Sequence, residues 1–144
     1  MKQSKRLQPI HDYKQRQEDE AAKRLAQVSS EIQQKKKSLS DLESYRLEYD
    51  QKFLETSSEG VSAKRMKDYQ AFMNNLAQVL GQQKAAIEML EREFEEKKRQ
   101  WLAAKNRTTA IGKVQQGYQQ KEDSIEEKKE QREQDDRSSR ITKH

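Results

Sequence analysis

The chain has 144 residues, 31% of them hydrophobic and 38% charged, with no cysteine and a net charge of +5 from 30 basic and 25 acidic residues. So small an apolar share excludes a thick globular core, and the missing cysteines exclude a disulfide framework, a thiol nucleophile and Cys-ligated zinc. Disorder or a helical assembly with a narrow seam remains, and one Pro, four Gly and abundant Gln, Lys, Glu, Arg and Ala favour helix.

The first stretch, MKQSKRLQPIHDYK, is basic but has no apolar run behind it. No secretory signal is expected, no run approaches the ~18 apolar residues of a membrane span, and the cytoplasm is the default compartment. Pro9 suits a first helical turn, where its missing N–H costs nothing. From Ala21 a heptad seam runs through Leu25, Val28, Ile32, Lys35, Leu39, Leu42, Arg46, Tyr49 and Phe53, with eight of ten positions apolar or aromatic. A first helix over 8–55 is predicted. The segment 56–62 holds Ser57, Ser58, Gly60 and Ser62, which suit a helix end, a left-handed turn and a new cap.

A second helix is predicted over 63–120. Its seam starts at Met66 and passes through Tyr69, Met73, Leu76, Leu80, Gln83, Ile87, Leu90, Phe94, Lys97, Trp101 and Ala104, then more sparsely through Ile111, Tyr118 and Ile125. A short loop makes neighbouring helices antiparallel. Folding there matches the seams with paired numbers summing to about 118, so Leu39 meets Leu80 and Leu25 meets Phe94. By the same pairing Leu7 lies opposite Gly112, and nothing after Lys113 has a partner. The expected fold is all-α, a two-helix antiparallel coiled-coil hairpin over 7–120 with a frayed or disordered charged tail over 121–144.

Chemistry is sparse. Gly60, Gly81, Gly112 and Gly117 are scattered, so no phosphate-binding loop forms. His11 and His144 lie near opposite chain ends without a second ligand at helical spacing. The carboxylates of EREFEE sit on a charged face, without the burial that catalytic pairs need. No catalytic, cofactor-binding or metal-binding residue is expected. Lys35, Gln83 and Arg46 read as polar register markers on the seam. Trp101 reads as half-buried packing, and Met66, Met73 and Met89 as filler.

A second apolar strip remains. With Leu42 at heptad position d, Tyr45 falls at g; with Met73 at a, Phe72 and Val79 also fall at g. In an antiparallel pair the g flanks share one side. Tyr45, Phe72 and Val79 should therefore converge beside the Leu42–Leu76 layer, where Lys or Glu is usual, and such a patch points to a partner.

The stretch LESYRLEYDQKFLETSSEGVSAKRMKDYQAFMNNLAQVL, with EDEAAKRLAQ before it, resembles the hairpin region of the flagellar export protein FliJ family. The features that carry the resemblance are Leu42, Tyr45 and Tyr49, the short Ser/Gly loop, and then Tyr69, Gln70, Phe72 and Leu76, within a layout that agrees over 7–120. Ser38 and Gln83 depart from the family pattern. The resemblance implies a non-enzymatic component of the flagellar type III export apparatus that looks like the rotary ATP synthase gamma coiled coil. It implies as partners the hexameric flagellar export ATPase, the export-gate membrane protein FlhA and flagellar export chaperones. Neither a nucleic acid nor direct membrane insertion is implied; peripheral association with the inner membrane would come through the apparatus. The implied gate-contacting surface is Leu42, Tyr45, Tyr49, Phe72 and Leu76, with Val79 a looser match. It coincides with the patch read from heptad phase. Two other readings compete. A basic arm binding RNA needs a one-sided Lys/Arg stripe, and a prefoldin-like holdase needs apolar helix tips.

Overall fold

The structure is a computed structural model and describes residues 1–142, so His144 lies outside the described residues. Two helices, α1 (Gln3–Thr56) and α2 (Ala63–Thr142), pack against each other, and no strand occurs among the described residues. The all-α hairpin fold expected from the heptads is the fold found.

The turn is built from local chemistry. The Thr56 hydroxyl donates to the carbonyls of Lys52 and Phe53, closing the last turn of α1. Gly60 adopts φ 111°, a left-handed conformation that a side chain resists. Ser62 is the N-cap of α2: its Oγ accepts the Arg65 N–H at 3.2 Å and its carbonyl accepts the Met66 N–H at 3.0 Å. Arg65 then reaches back across the turn, donating to the Thr56 hydroxyl with its guanidinium over the Phe53 ring.

The chain divides into two compact units. The first, Lys23–Arg99, holds the turn and the better-filled seam. Val28, Ile32, Leu76, Leu80 and Ile87 are buried there. Leu25, Lys35, Leu39, Leu42, Tyr49 and Phe53 on α1 are half-buried, as are Tyr69, Met73, Gln83, Leu90 and Phe94 on α2. Burial therefore follows the alternating 3-and-4 spacing, and no side chain in the seam of a two-helix unit is closed off from every direction. Arg46 and Met66 depart: both are exposed, because a guanidinium swings out to water more cheaply than it desolvates, and because Met66 lies next to the open turn.

The second unit joins Met1–Ala22 to α2 from Gln100 onward. Its buried residues are small: Ser4, Ala21, Ala104 and Thr108, the last returning its hydroxyl to the Ala104 carbonyl. Trp101 is half-buried with the Lys105 ammonium 5.2 Å from its ring centre. His11, not Leu7, lies against Gly112: the imidazole Nε2 stands 3.7 Å from where a Cβ would be. Ser4 still meets Gln115 in the register expected from the seam, as the Gln115 bond to the Ser4 carbonyl shows. Contacts nonetheless run past Lys113, where pairing was expected to end. Gln115 donates to the Ser4 carbonyl and to Gln8, and Glu122 accepts from the Ser4 hydroxyl at 2.5 Å and the Ser4 N–H at 3.2 Å.

Those contacts explain why α1 begins at Gln3. Its first turn carries no acidic residue of its own, and its free N–H groups need an acceptor. Glu122 supplies both acceptor and negative charge at the positive end of the helix dipole. Pro9 consequently lies inside α1, in its second turn, where it forfeits only the bond to the Lys5 carbonyl.

Past Glu122, α2 continues to Thr142 with every residue from Asp123 to Ile141 exposed. Strong helix formers support it there. Opposite charges fall four apart at Lys129/Glu133, Glu133/Arg137 and Asp136/Arg140, with Arg140 in the last turn.

Candidate functional site

The two flanks of the seam in the Lys23–Arg99 unit differ in chemistry. On the e flank, polar bridges recur every seven residues along α1. Lys36 pairs with Glu91 at 3.3 Å and Glu43 with Lys84 at 3.9 Å, and Asp50 accepts a hydrogen bond from the Tyr69 hydroxyl. Such exposed pairs contribute well under ~1 kcal/mol each, but they close that side with charge. The Asp50 carboxylate also holds the Tyr69 phenol in its neutral form, raising its pKa above the ordinary value.

On the g flank the same heptads carry Tyr45, Phe72 and Val79. The rings form a ladder that alternates between the helices: Phe53, Tyr69, Tyr49, Phe72, Tyr45. Successive ring centres are 3.9, 6.0, 4.2 and 6.0 Å apart. Phe53 and Tyr69 stack at 12° and Tyr49 and Tyr69 at 7°, whereas Phe72 meets Tyr45 edge-on at 69°. Aromatic pairs of this kind add roughly 0.5–1.5 kcal/mol each beyond area burial. The ladder gathers five of the eight Tyr and Phe residues of the chain. It starts in the seam near the turn and emerges onto the g flank.

The six candidate residues take graded positions. Leu76 is buried at 7% exposure, and Leu42, Tyr49 and Phe72 are half-buried. Tyr45 is 49% and Val79 40% exposed. Ring contacts join Tyr45, Tyr49 and Phe72 directly; Leu42 and Leu76 are placed beside them by seam register alone. The sequence treated Tyr49, Phe53 and Tyr69 as seam and Tyr45 and Phe72 as flank. The structure makes them one continuous aromatic surface, because a ring ~6 Å long spans from position d to position g. Two exposed leucines, Leu47 and Leu54, escaped the heptad reading altogether. Their spacing of seven residues was the available signal.

This geometry suits binding. Among the described residues, no group of three His, Cys, Asp or Glu side chains could hold a metal, and no helix is long and apolar enough to cross a membrane. A family model, the flagellar FliJ protein, matches residues 3–144. The chain belongs to the FliJ family. No curated protein and no solved structure matches it. The FliJ match runs from the first turn of α1 through the whole charged end of α2, wider than the 7–120 over which the resemblance was read. Membership makes the chain a component of the flagellar export apparatus, in a family of non-catalytic components.

Proposed function

We propose that this FliJ-family chain is a stalk that couples the hexameric export ATPase to the export gate FlhA and handles export chaperones. Its working place is the cytoplasmic face of the inner membrane, reached through the apparatus. The gate-binding surface is Leu42, Tyr45, Tyr49, Phe72, Leu76 and Val79. The observation that carries this is the emergence of the aromatic ladder at half-exposed Tyr45, on the flank opposite the Lys36–Glu91 and Lys84–Glu43 pairs. Large rings in that setting bury much area at small entropic cost on docking.

The unit of Met1–Ala22 and α2 from Gln100 is the ATPase end in this reading. It carries Lys5, Arg6, Lys14 and Arg16 on α1 and Lys105, Arg107 and Lys113 on α2, a basic surface that steers toward an acidic pore rim. Residues 121–144 serve as the charged tail of the 7–120 hairpin, tied to the start of α1 at Glu122. The test measures two quantities in parallel: binding to the cytosolic part of FlhA, and stimulation of the export ATPase at two salt concentrations. Tyr45→Ala is expected to weaken gate binding and spare ATPase stimulation. Removal of residues 1–13 with 114–144 is expected to do the reverse, with salt weakening the ATPase interaction first. Full stimulation by the truncated hairpin would refute docking through that end.

A further inference from the structure

The outer face of α1 over residues 41–55 is chemically unlike the rest of the chain. It carries Asp41, Glu43, Glu48, Asp50 and Glu55 against Arg46 and Lys52, a net of −3 within a chain of +5. Lys52 belongs to the g flank, so it does not offset the acids around the outer face. In the middle of that face stand Leu47 and Leu54, 70% and 64% exposed. Seven residues separate them, so they lie about 10 Å apart on one stripe of the helix. At 100° per residue, Glu43 and Asp50 border the stripe on one side and Glu48 and Glu55 on the other.

Leu47 also opens onto a groove of about 440 Å3 between the helices. Met73 and Leu80 supply apolar surface from α2, while Glu43, Arg46 and Asp50 edge it from α1 and Lys84 from α2. Glu43 is paired with Lys84, and Asp50 accepts from Tyr69. None of these outer positions belongs to the g flank assigned to the gate.

We propose that this face docks an amphipathic helix of a partner protein, one whose apolar stripe repeats every seven residues and whose flank carries Lys and Arg. Two leucines a heptad apart beside a groove are the half-complement of a third helix in a coiled coil. The Glu48 and Glu55 side of the stripe selects the partner: it repels phosphate backbones, anionic lipid and acidic peptides, and attracts a basic flank. The face is a second docking surface, and it is independent of whether the aromatic flank binds the gate.

The test uses the full chain in flagellated cells with a photocrosslinking side chain at position 47 or 54. The crosslinked segment of the partner is located by mass spectrometry, synthesised as a peptide and titrated against the purified full chain. The expected segment is helical with basic residues flanking heptad-spaced apolar ones. The double variants Leu47→Ser/Leu54→Ser and Glu48→Lys/Glu55→Lys should each weaken the peptide by about ten-fold or more, and Tyr45→Ala should leave it unchanged. All four substituted side chains are exposed, so circular dichroism should match the parent. Crosslinks to a second copy, to an acidic or irregular segment, or to nothing would overturn the proposal, as would peptide binding indifferent to the charge reversal.

Discussion

Tyr45→Ala separates docking from folding. The Tyr45 ring is half in water, with neighbours at 6.0 Å (Phe72) and 6.4 Å (Tyr49). Truncating a fully buried aromatic costs roughly 3–5 kcal/mol, so a half-exposed ring with edge contacts should cost about 1 kcal/mol. Leu80, at 4% exposure, provides the reference: Leu80→Ala should cost about 2–4 kcal/mol. With roughly 4 °C of melting temperature per kcal/mol for a chain of this size, the two variants should differ by about 4–12 °C. Phe72→Ala should fall between them, because its ring packs 4.2 Å from Tyr49. Thermal melts by circular dichroism give the stability order, and titration against the cytosolic part of FlhA gives the docking loss. The order for binding should invert, with Tyr45→Ala the most damaging per degree of melting lost. A Tyr45→Ala melt as low as that of Leu80→Ala would show that the ladder is core to its end, and the docking argument would fail.

Acidification should loosen the start of α1. The Ser4 hydroxyl, helped by the backbone amides and Lys2, holds the Glu122 carboxyl below the usual carboxylate range. A lowered folded pKa stabilises above the unfolded value and loses that contribution as pH falls through the folded one. Amide exchange at residues 3–7 should therefore accelerate on acidification, and Glu122→Gln should abolish that dependence. At the other extreme, the neutral Tyr69 phenol is favoured by its bond to Asp50, so its contribution is present below the free-phenol value and lost as pH rises through the raised one. Tyr69→Phe should remove the alkaline loss, read from melting temperature between pH 8 and 11, roughly. Gly60→Ala places a Cβ at φ 111° and should cost about 1 kcal/mol without altering helix content.

The sequence by itself determined the helices, the turn and the seam. The reason is physical: in a two-helix unit burial has one direction, so the 3-and-4 spacing that names Val28, Ile32, Leu80 and Ile87 is also the list of what is hidden. It placed Tyr45 and Phe72 on a common flank, where their rings meet, because heptad phase is a local property. Tertiary structure decided the rest. Heptad letters carry no side-chain length, so they did not show that rings from d and g positions join into one ladder. In the second unit Ser4, Ala21, Ala104, Thr108 and Gly112 are small, so size does little there to fix the alignment. There the hydrogen bonds of Gln115 and Glu122 to Ser4 hold the helices together on the seam's own extension. A carboxylate 118 positions away caps the first turn of α1. No periodicity encodes that contact, because it arises only once the two helices lie side by side.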